Sequence, residues 1–314
     1  MEQAWKSDNY KFVGKAFDYS YANRMAKMLP ILSEVSTNSV EYELTGTGGY
    51  GEMKPYDGAN LNQVTAKRGF KTIITPQEYS ISVAVGYKEA KIDKLGETKK
   101  VGTRLGDSAG MFVYTSALKM FARAYDGAYT GGDGKAWAAT DHPVASKASS
   151  GRSYVADADA GTYSNLLTDT LSVAAVTKAQ ALANRFLTPD GQPFLCDYDC
   201  VLVSSELEAT AKKLFGENSR LMPTQDPETA NNAASPVYGM SYIVIGGGDH
   251  GFGTKQWAVC DKTLMKELVN IVYITRPRVM QSELDNPLLD MYTAYVDFSM
   301  GWGDARQIIF SNPS

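Results

Sequence analysis

A chain of 314 residues with a formal net charge of −4 is long enough to bury a substantial core, either as two ordinary domains or as one large one. The acidic balance, with no run of Lys or Arg, excludes a polycation grip on nucleic acid, and no apolar run reaches the length of a membrane span. The start, Met1-Glu2-Gln3-Ala4-Trp5-Lys6, lacks the hydrophobic region of a signal peptide, so a soluble chain made in the cytosol is expected.

In chain order, residues 1–37 mix polar with aromatic side chains (Tyr10, Phe12, Phe17, Tyr19, Tyr21), and a short helix is predicted from Tyr21 to Leu29, stopped by Pro30. Aromatics this dense leave water, yet the segment is too short for its own core. It is expected to lie across the rest of the chain or across a neighbouring copy. From Ser39 to Tyr87 the period changes to two. Val40, Tyr42 and Leu44 form one alternating run, and Tyr79, Ile81, Val83, Val85 and Tyr87 form another. Gly46 through Gly69, between them, carry no period, so the whole reads as a long two-stranded excursion with a mobile tip. Such a hairpin is marginal alone in water and needs a partner surface.

A long helical pattern runs from Lys91 to Gly127, with Leu105, Ala109, Phe112, Ser116, Met120 and Ala124 at three-and-four spacing. Gly102, Gly106 and Gly110 fall four apart and lose helix propensity of roughly 1 kcal/mol each relative to Ala. Either they leave one face bare for another backbone to approach, or Gly102 marks a break between a short helix and a long one. Gly127 to Gly161 is turn-rich and predicts a hairpin or extended loop. A second helix is predicted from Leu171 to Phe186, ended by a turn at Thr188-Pro189-Asp190-Gly191. Cys200-Val201-Leu202-Val203 predicts a buried strand feeding a third helix, with Ser205 and Glu208 as a capping box, Leu207, Ala211, Leu214 and Phe215 as its apolar face, and Gly216 as its stop. Residues 217–237 read as loop, and Tyr242-Ile243-Val244-Ile245 as another buried strand, which makes a small α/β unit. Long strands close the chain: Val269 to Tyr273, Tyr292 to Met300, and Gln307 to Phe310.

Few residues carry chemistry. Gly246, Gly248 and Gly251, like Gly46, Gly48 and Gly51, match the dinucleotide fingerprint by letter, but neither cluster opens a helix whose N-terminus would face a pyrophosphate. His142 beside Asp141, and His250 beside Asp249, have no nucleophile elbow to serve and read as surface or turn residues. Glu41, Glu43 and Glu52 read as a solvated hairpin face. Cys196, Cys200 and Cys260 read as thiols, since a tetrahedral metal site needs more soft or imidazole ligands than a chain with two His supplies. No catalytic, cofactor-binding or metal-binding residue is assigned.

Several stretches together resemble a known family: Trp137 with Thr140-Asp141-His142-Pro143, Asn165-Leu166-Leu167, Asp190-Gly191-Gln192-Pro193, the run Val201 to Ala211, and Tyr238-Gly239-Met240. With the order of parts, they resemble a tailed-phage major capsid protein of the Hong Kong 97-type fold, the middle being most similar to the Mu-like prophage major head subunit family. The resemblance implies an α+β fold with an N-terminal arm (1–37), an extended E-loop hairpin (38–90), a peripheral domain with a long spine helix (91–165), an axial domain (166–265) and return strands of the peripheral domain (266–314). It implies a major head protein that self-assembles into pentamers and hexamers of a closed icosahedral shell. The virion would be built in the host bacterial cytoplasm, with no catalysis, no cofactor and no membrane. The packaged DNA would be touched only non-specifically, and separate scaffold, portal and decoration proteins are the implied partners. The cleavable scaffold-like domain that precedes the arm in some members is not expected here, so a separate scaffold or none is implied. Lys54, Lys67 and Lys71 are available for the crosslink that some members make, but no carboxylate base is placed beside them, so none is expected. The alternatives are another phage structural subunit, such as a tail-tube protein, or a cytosolic hydrolase or nucleotide-binding enzyme.

Overall fold

The computed structural model describes residues 2–26, 28–47, 68–86, 96–144, 161–188, 193–215, 237, 239–247, 250–283 and 289–313, with 53, 55, 56, 58, 61–63 and 88 besides. In chain order the elements are α1 (Glu2–Met25), β1 (Ser33–Ser36), β2 (Tyr42–Thr47), β3 (Arg68–Ile74), β4 (Gln77–Gly86), α2 (Glu97–Ala122), β5 (His142–Pro143), β6 (Thr162–Tyr163), β7 (Leu166–Leu167) and α3 (Val173–Ala183). Then follow β8 (Cys200–Val203), α4 (Glu208–Phe215), β9 (Ser241–Val244), β10 (Gly246–Gly247), β11 (His250–Gly251), β12 (Trp257–Cys260), α5 (Lys262–Leu268), β13 (Val269–Glu283), β14 (Leu289–Trp302) and β15 (Ile308–Ser311). They divide into two units, one of Met1–Tyr42, Ile74–Ala117 and Asn270–Met300, the other of Glu43–Ile73, Leu118–Val269 and Gly301–Ser314.

In the first unit α1 lies against α2. Val13 and Phe17 are buried with Leu105, Ala109, Val279, Tyr292 and Ala294. The three glycines make this approach possible. A Cβ on Gly102 would stand 2.5 Å from the Val13 carbonyl oxygen, one on Gly106 would overlap the Phe17 carbonyl, and one on Gly110 would lie 2.6 Å from Arg24 Cβ. The bare-face expectation holds, and α2 runs unbroken through Gly102. Backbone packing offsets the propensity lost to glycine.

The N-terminal segment is helical far beyond the predicted Tyr21–Leu29, starting at Glu2 and ending at Met25. Val13, Phe17 and Tyr21 share one face at helical spacing, but Phe12 and Tyr19, 49% and 72% exposed, put aromatics on other faces too. The apolar period is therefore blurred, and no single stripe announces the helix in the sequence.

The first unit's sheet has the order β1-β13-β14-β4. β1 runs parallel to β13 from Ser33↔Asn270 to Ser36↔Tyr273, and β4 runs antiparallel to β14 from Gln77↔Phe298 to Gly86↔Leu289. Pro277 sits in β13 beyond the stretch paired with β1, where its missing N–H removes no bond on that side. This topology corrects the excursion drawn from the sequence. The run Tyr79–Val85 does not pair with Val40–Leu44; β2 pairs with β3, whose first residues had been read as part of the connection. A partner two hundred residues away leaves no local trace.

The second unit holds a five-stranded sheet, β7-β15-β12-β8-β9. β12 is antiparallel to both β8 and β15, while β9 runs parallel to β8 and β7 parallel to β15. The three central strands are buried along their whole length, as their near-continuous apolar runs require. Between β8 and β9 the chain crosses through α4, so the predicted α/β unit is present. Its capping box is not. Ser205 lies inside a 3-10 turn (Ser205–Leu207), Ser204 Oγ donates to the Thr254 carbonyl at 3.1 Å, and Glu208 pairs with Lys212 at 2.7 Å. β9 is half-buried, not buried, because it is the sheet's edge. The predicted second helix is α3, capped by Ser172, whose Oγ accepts from Ala175 N at 3.2 Å. α5 was not predicted, although its N-cap signal was present: Asp261 Oδ1 accepts from Thr263 N at 2.8 Å and Leu264 N at 3.1 Å. In the turn-rich stretch expected as a hairpin or extended loop over 127–161, β5 pairs with β6, which begins one residue beyond it; residues 145–160 lie outside the described residues. The turn at Pro189–Gly191, the stop at Gly216 and most of the 217–237 loop also lie outside them.

Substituting Gly106→Val should lower the unfolding free energy by about 1–3 kcal/mol, the usual loss from overpacking. The control is Gly127→Val, where a built Cβ meets nothing within 4 Å. Urea unfolding of both variants measures the difference, and equal midpoints would refute the close-contact account.

Candidate functional site

The stretches that carried the resemblance, Trp137, Asp141-His142-Pro143 and Asn165-Leu166-Leu167, fold together in the second unit. At their centre is Asn165, fully buried. Its Nδ2 donates to the carbonyls of Trp137 (2.7 Å), Ala305 (3.1 Å) and Ile308 (3.3 Å), and its Oδ1 accepts from Ala139 N at 3.0 Å. One amide thus joins the 137–139 turn, the loop before β15 and the entry to β7. His142 Nε2 lies 3.1 Å from the same Oδ1, while Nδ1 lies 2.6 Å from Asp133 Oδ2. His142 is 1% exposed, so the reading of it as a surface or turn residue is corrected. Its carboxylate partner is Asp133; Asp141 pairs with Lys135 on the surface.

Beside this hub, Arg306 and Asp304 form a buried ion pair, each side chain 7% exposed. Arg306 Nε donates to both Asp304 carboxylate oxygens, at 3.0 and 3.1 Å, Nη1 donates to the Leu187 carbonyl at 2.7 Å, and the guanidinium lies 4.8 Å from the Phe194 ring centre. Burial opposes the Asp304 charge, but the Arg306 field and hydrogen bonds outweigh it and hold the carboxyl below its ordinary value. Nothing in the local sequence singled out this pair, or Asp133.

The pocket beside Asp133, Tyr163, Asp304 and Arg306 measures about 20 Å³, room for one water. A larger, open feature lies in the first unit. A groove of about 340 Å³ runs between β4 and α2, lined by Tyr79, Ile81, Ala109, Phe112, Ala294 and Val296. Tyr79 packs edge-on to Phe112 at 4.8 Å, and both rings meet Phe298, at 5.6 and 5.7 Å. Even so, Tyr79 is 38%, Ile81 49% and Phe112 37% exposed. Ser108 and Ala109, with short side chains, form part of its α2 wall.

The other residues considered from sequence take no part in a site. Cys200 and Cys260 face each other across β8 and β12, fully buried, and Cys196 is half-buried with burial pushing its thiol up to about 11; all three are free. Among the described residues no three His, Cys, Asp or Glu converge on a metal-sized point. Gly246 and Gly251 belong to the two-residue pairing of β10 with β11, followed by a turn and β12, with no helix to receive a phosphate. His250 is exposed on β11; Asp249 and Gly248 lie outside the described residues. Gly46 is in β2; Gly48, Gly51, Glu52, Lys54 and Lys67 lie outside. Glu41 is exposed. Lys71 is paired with Glu43, so a carboxylate does stand beside one of the three lysines, contrary to expectation. No described helix is long and apolar enough to cross a membrane.

No protein-family model matches the chain, and no curated protein matches it by sequence. Solved structures do. The capsid chain of Ralstonia phage GP4 is 12% identical with a TM-score of 0.53, covering 90% of this chain and 89% of that one. The mature capsid chain of bacteriophage PhiM1 is 13% identical with a TM-score of 0.52, covering 92% and 87%. The virus-like particle chain from Pyrococcus furiosus is 8% identical with a TM-score of 0.50, covering 96% and 99%. The fold is therefore the α+β fold of phage capsid chains, as the resemblance implied; the Mu-like subfamily is not distinguished by these matches.

The buried ion pair yields a test of the second unit's core. Arg306→Met should cost about 3–5 kcal/mol near neutral pH, because it strands the Asp304 charge. Asp304 titrates lower folded than its ordinary 3.8, so its stabilisation is complete above that value and is lost as pH falls through the folded one. In the variant, acid neutralises the stranded carboxyl and relieves the penalty. The gap between parent and variant in urea unfolding should narrow on acidification below 3.8. A gap that widens contradicts the pairing.

Proposed function

We propose that this chain is a major capsid protein, a subunit that assembles with copies of itself into the closed icosahedral shell enclosing phage DNA. The observation that carries the proposal is a fold shared over nearly the whole length of this chain and nearly the whole length of phage capsid chains. Fold alone does not assign a function. Two features of this chain support the step: the apolar groove on the first unit, and the β2–β3 ribbon, a two-stranded element next to which Met53, Tyr56 and Leu61 stand 97%, 64% and 81% exposed. In a shell, neighbouring subunits cover them.

In this reading residues 1–37 are the N-terminal arm and 38–90 contain the E-loop, whose strands are β2 and β3. α2 is the spine helix of a peripheral domain (91–165 with return strands 266–314), and 166–265 form the axial domain. Pentamers and hexamers bring heterologous contacts into a closed surface, and obligate interfaces of this kind bury about 2,000 Å² or more. The role is structural and calls for no catalytic group. An acidic wall touches packaged DNA without gripping its sequence. The site of assembly is the host bacterial cytoplasm, the mature location is the virion, and scaffold, portal and decoration proteins are separate chains.

The test is sedimentation and negative-stain imaging of the protein expressed alone and with a candidate scaffold, alongside Ile81→Asp. The parent should form closed megadalton particles. Ile81→Asp, at an exposed position, should keep the parent's circular dichroism and thermal midpoint yet sediment as small species. Tubes in place of shells would make the chain a tail component. Normal shells from Ile81→Asp would remove the groove from the assembly surface.

A further inference from the structure

We infer that His142 is held as the imidazolium, a buried charged linker that locks the β5–β6 hairpin to Asn165 and so to the five-stranded sheet of the same unit. Hydrogen-bond counting at the hub leads to this state independently of the proposed function. The Asn165 amide can face only one way. The atom surrounded by three carbonyl oxygens must be its nitrogen, and the atom that accepts from Ala139 N must be its oxygen. His142 Nε2 stands 3.1 Å from that oxygen, which cannot donate, so Nε2 carries a proton. On the ring's other side Nδ1 stands 2.6 Å from Asp133 Oδ2. The other Asp133 oxygen accepts from Lys135 N at 3.1 Å, and with Asp133 as the carboxylate both its oxygens accept, so Nδ1 is the donor and carries a proton as well.

Charge balance in the pocket points the same way. Arg306 is committed to Asp304, and Lys135 reaches outward to Asp141. Among the described ion pairs, His142 is the cation on Asp133, whose side chain is only 12% exposed. The Tyr163 ring stacks on the imidazole at 5.1 Å with planes 21° apart, and burial raises its hydroxyl far above the ordinary value, so it stays neutral. An aromatic face over a cation is favourable. Removing either ring proton would set a nitrogen lone pair against an oxygen lone pair and release one side of the linker.

The chain has two histidines, so His250→Gln, at an exposed position on β11, leaves His142 as the sole imidazole. In that full-length protein, labelled with ring-¹⁵N histidine, nitrogen NMR at neutral pH should show both ring nitrogens protonated. A single protonated nitrogen overturns the inference. Adding Asp133→Asn should leave one proton, on Nε2, because Asn165 still demands a donor while the carboxylate that held the second proton is gone. Retention of both protons in that variant would overturn the assigned pairing. Should the double variant fail to fold, the His250→Gln spectrum alone decides.

Discussion

The contact on which the first unit depends is that between the backbones of α1 and α2. Two helices separated by ordinary side chains lie 8–10 Å apart axis to axis; glycine on one of them lets the partner's carbonyls reach its surface. Gly102 and Gly106 do this against Val13 and Phe17, and one turn further Gly110 admits the Arg24 side chain. The approach brings Val13 and Phe17 into one cluster with the sheet residues Val279, Tyr292 and Ala294, so helix pair and sheet share a core. Arg24 and Asp107, bonded at 2.9 Å, add a register mark near the C-terminal end of α1, but both are well exposed and contribute little energy.

The second unit is held differently. Its central strands bury every side chain, and such strands need no polar address to pair. What specifies the arrangement around them is polar: Asn165 bonding to three carbonyls drawn from positions 137, 305 and 308, and Arg306 tied to Asp304 and to the Leu187 carbonyl. Each group is buried and satisfied, so an alternative docking of these loops would leave several polar atoms unpaired at about 1–3 kcal/mol each. Hydrophobic burial supplies the stability here and the hydrogen bonds supply the uniqueness.

That division explains what was legible in the sequence. The glycine spacing, the buried runs at Cys200–Val203 and Ile308–Phe310, and the alternation of β14 are periodic signals, and each became the element it announced. α1 was largely missed because aromatics on several faces erase a period, and α5 because a seven-residue helix is too short to show one, despite its Asp261 cap. The pairing of β4 with β14 was invisible because register across two hundred residues is set by the tertiary fold. His142 was misjudged because its neighbour in sequence, Asp141, looked like its partner. The partner in space, Asp133, lies nine residues earlier across a turn. The motif residues Trp137, His142 and Asn165 were recognised by resemblance, with no means of knowing that they meet at one buried amide.

The groove shows the opposite economy to the hub. At the hub every polar atom of Asn165 has a partner inside the chain; at the groove Tyr79, Ile81 and Phe112 are left partly bare. β4 sharpens the point: among the described strands it is a ten-residue edge strand, and it carries neither proline nor lysine to discourage pairing. A subunit meant to remain alone would close such a face or guard such an edge. In the proposed shell both stay open until a neighbouring copy covers them, and the same surface that makes the free subunit prone to associate then becomes interior.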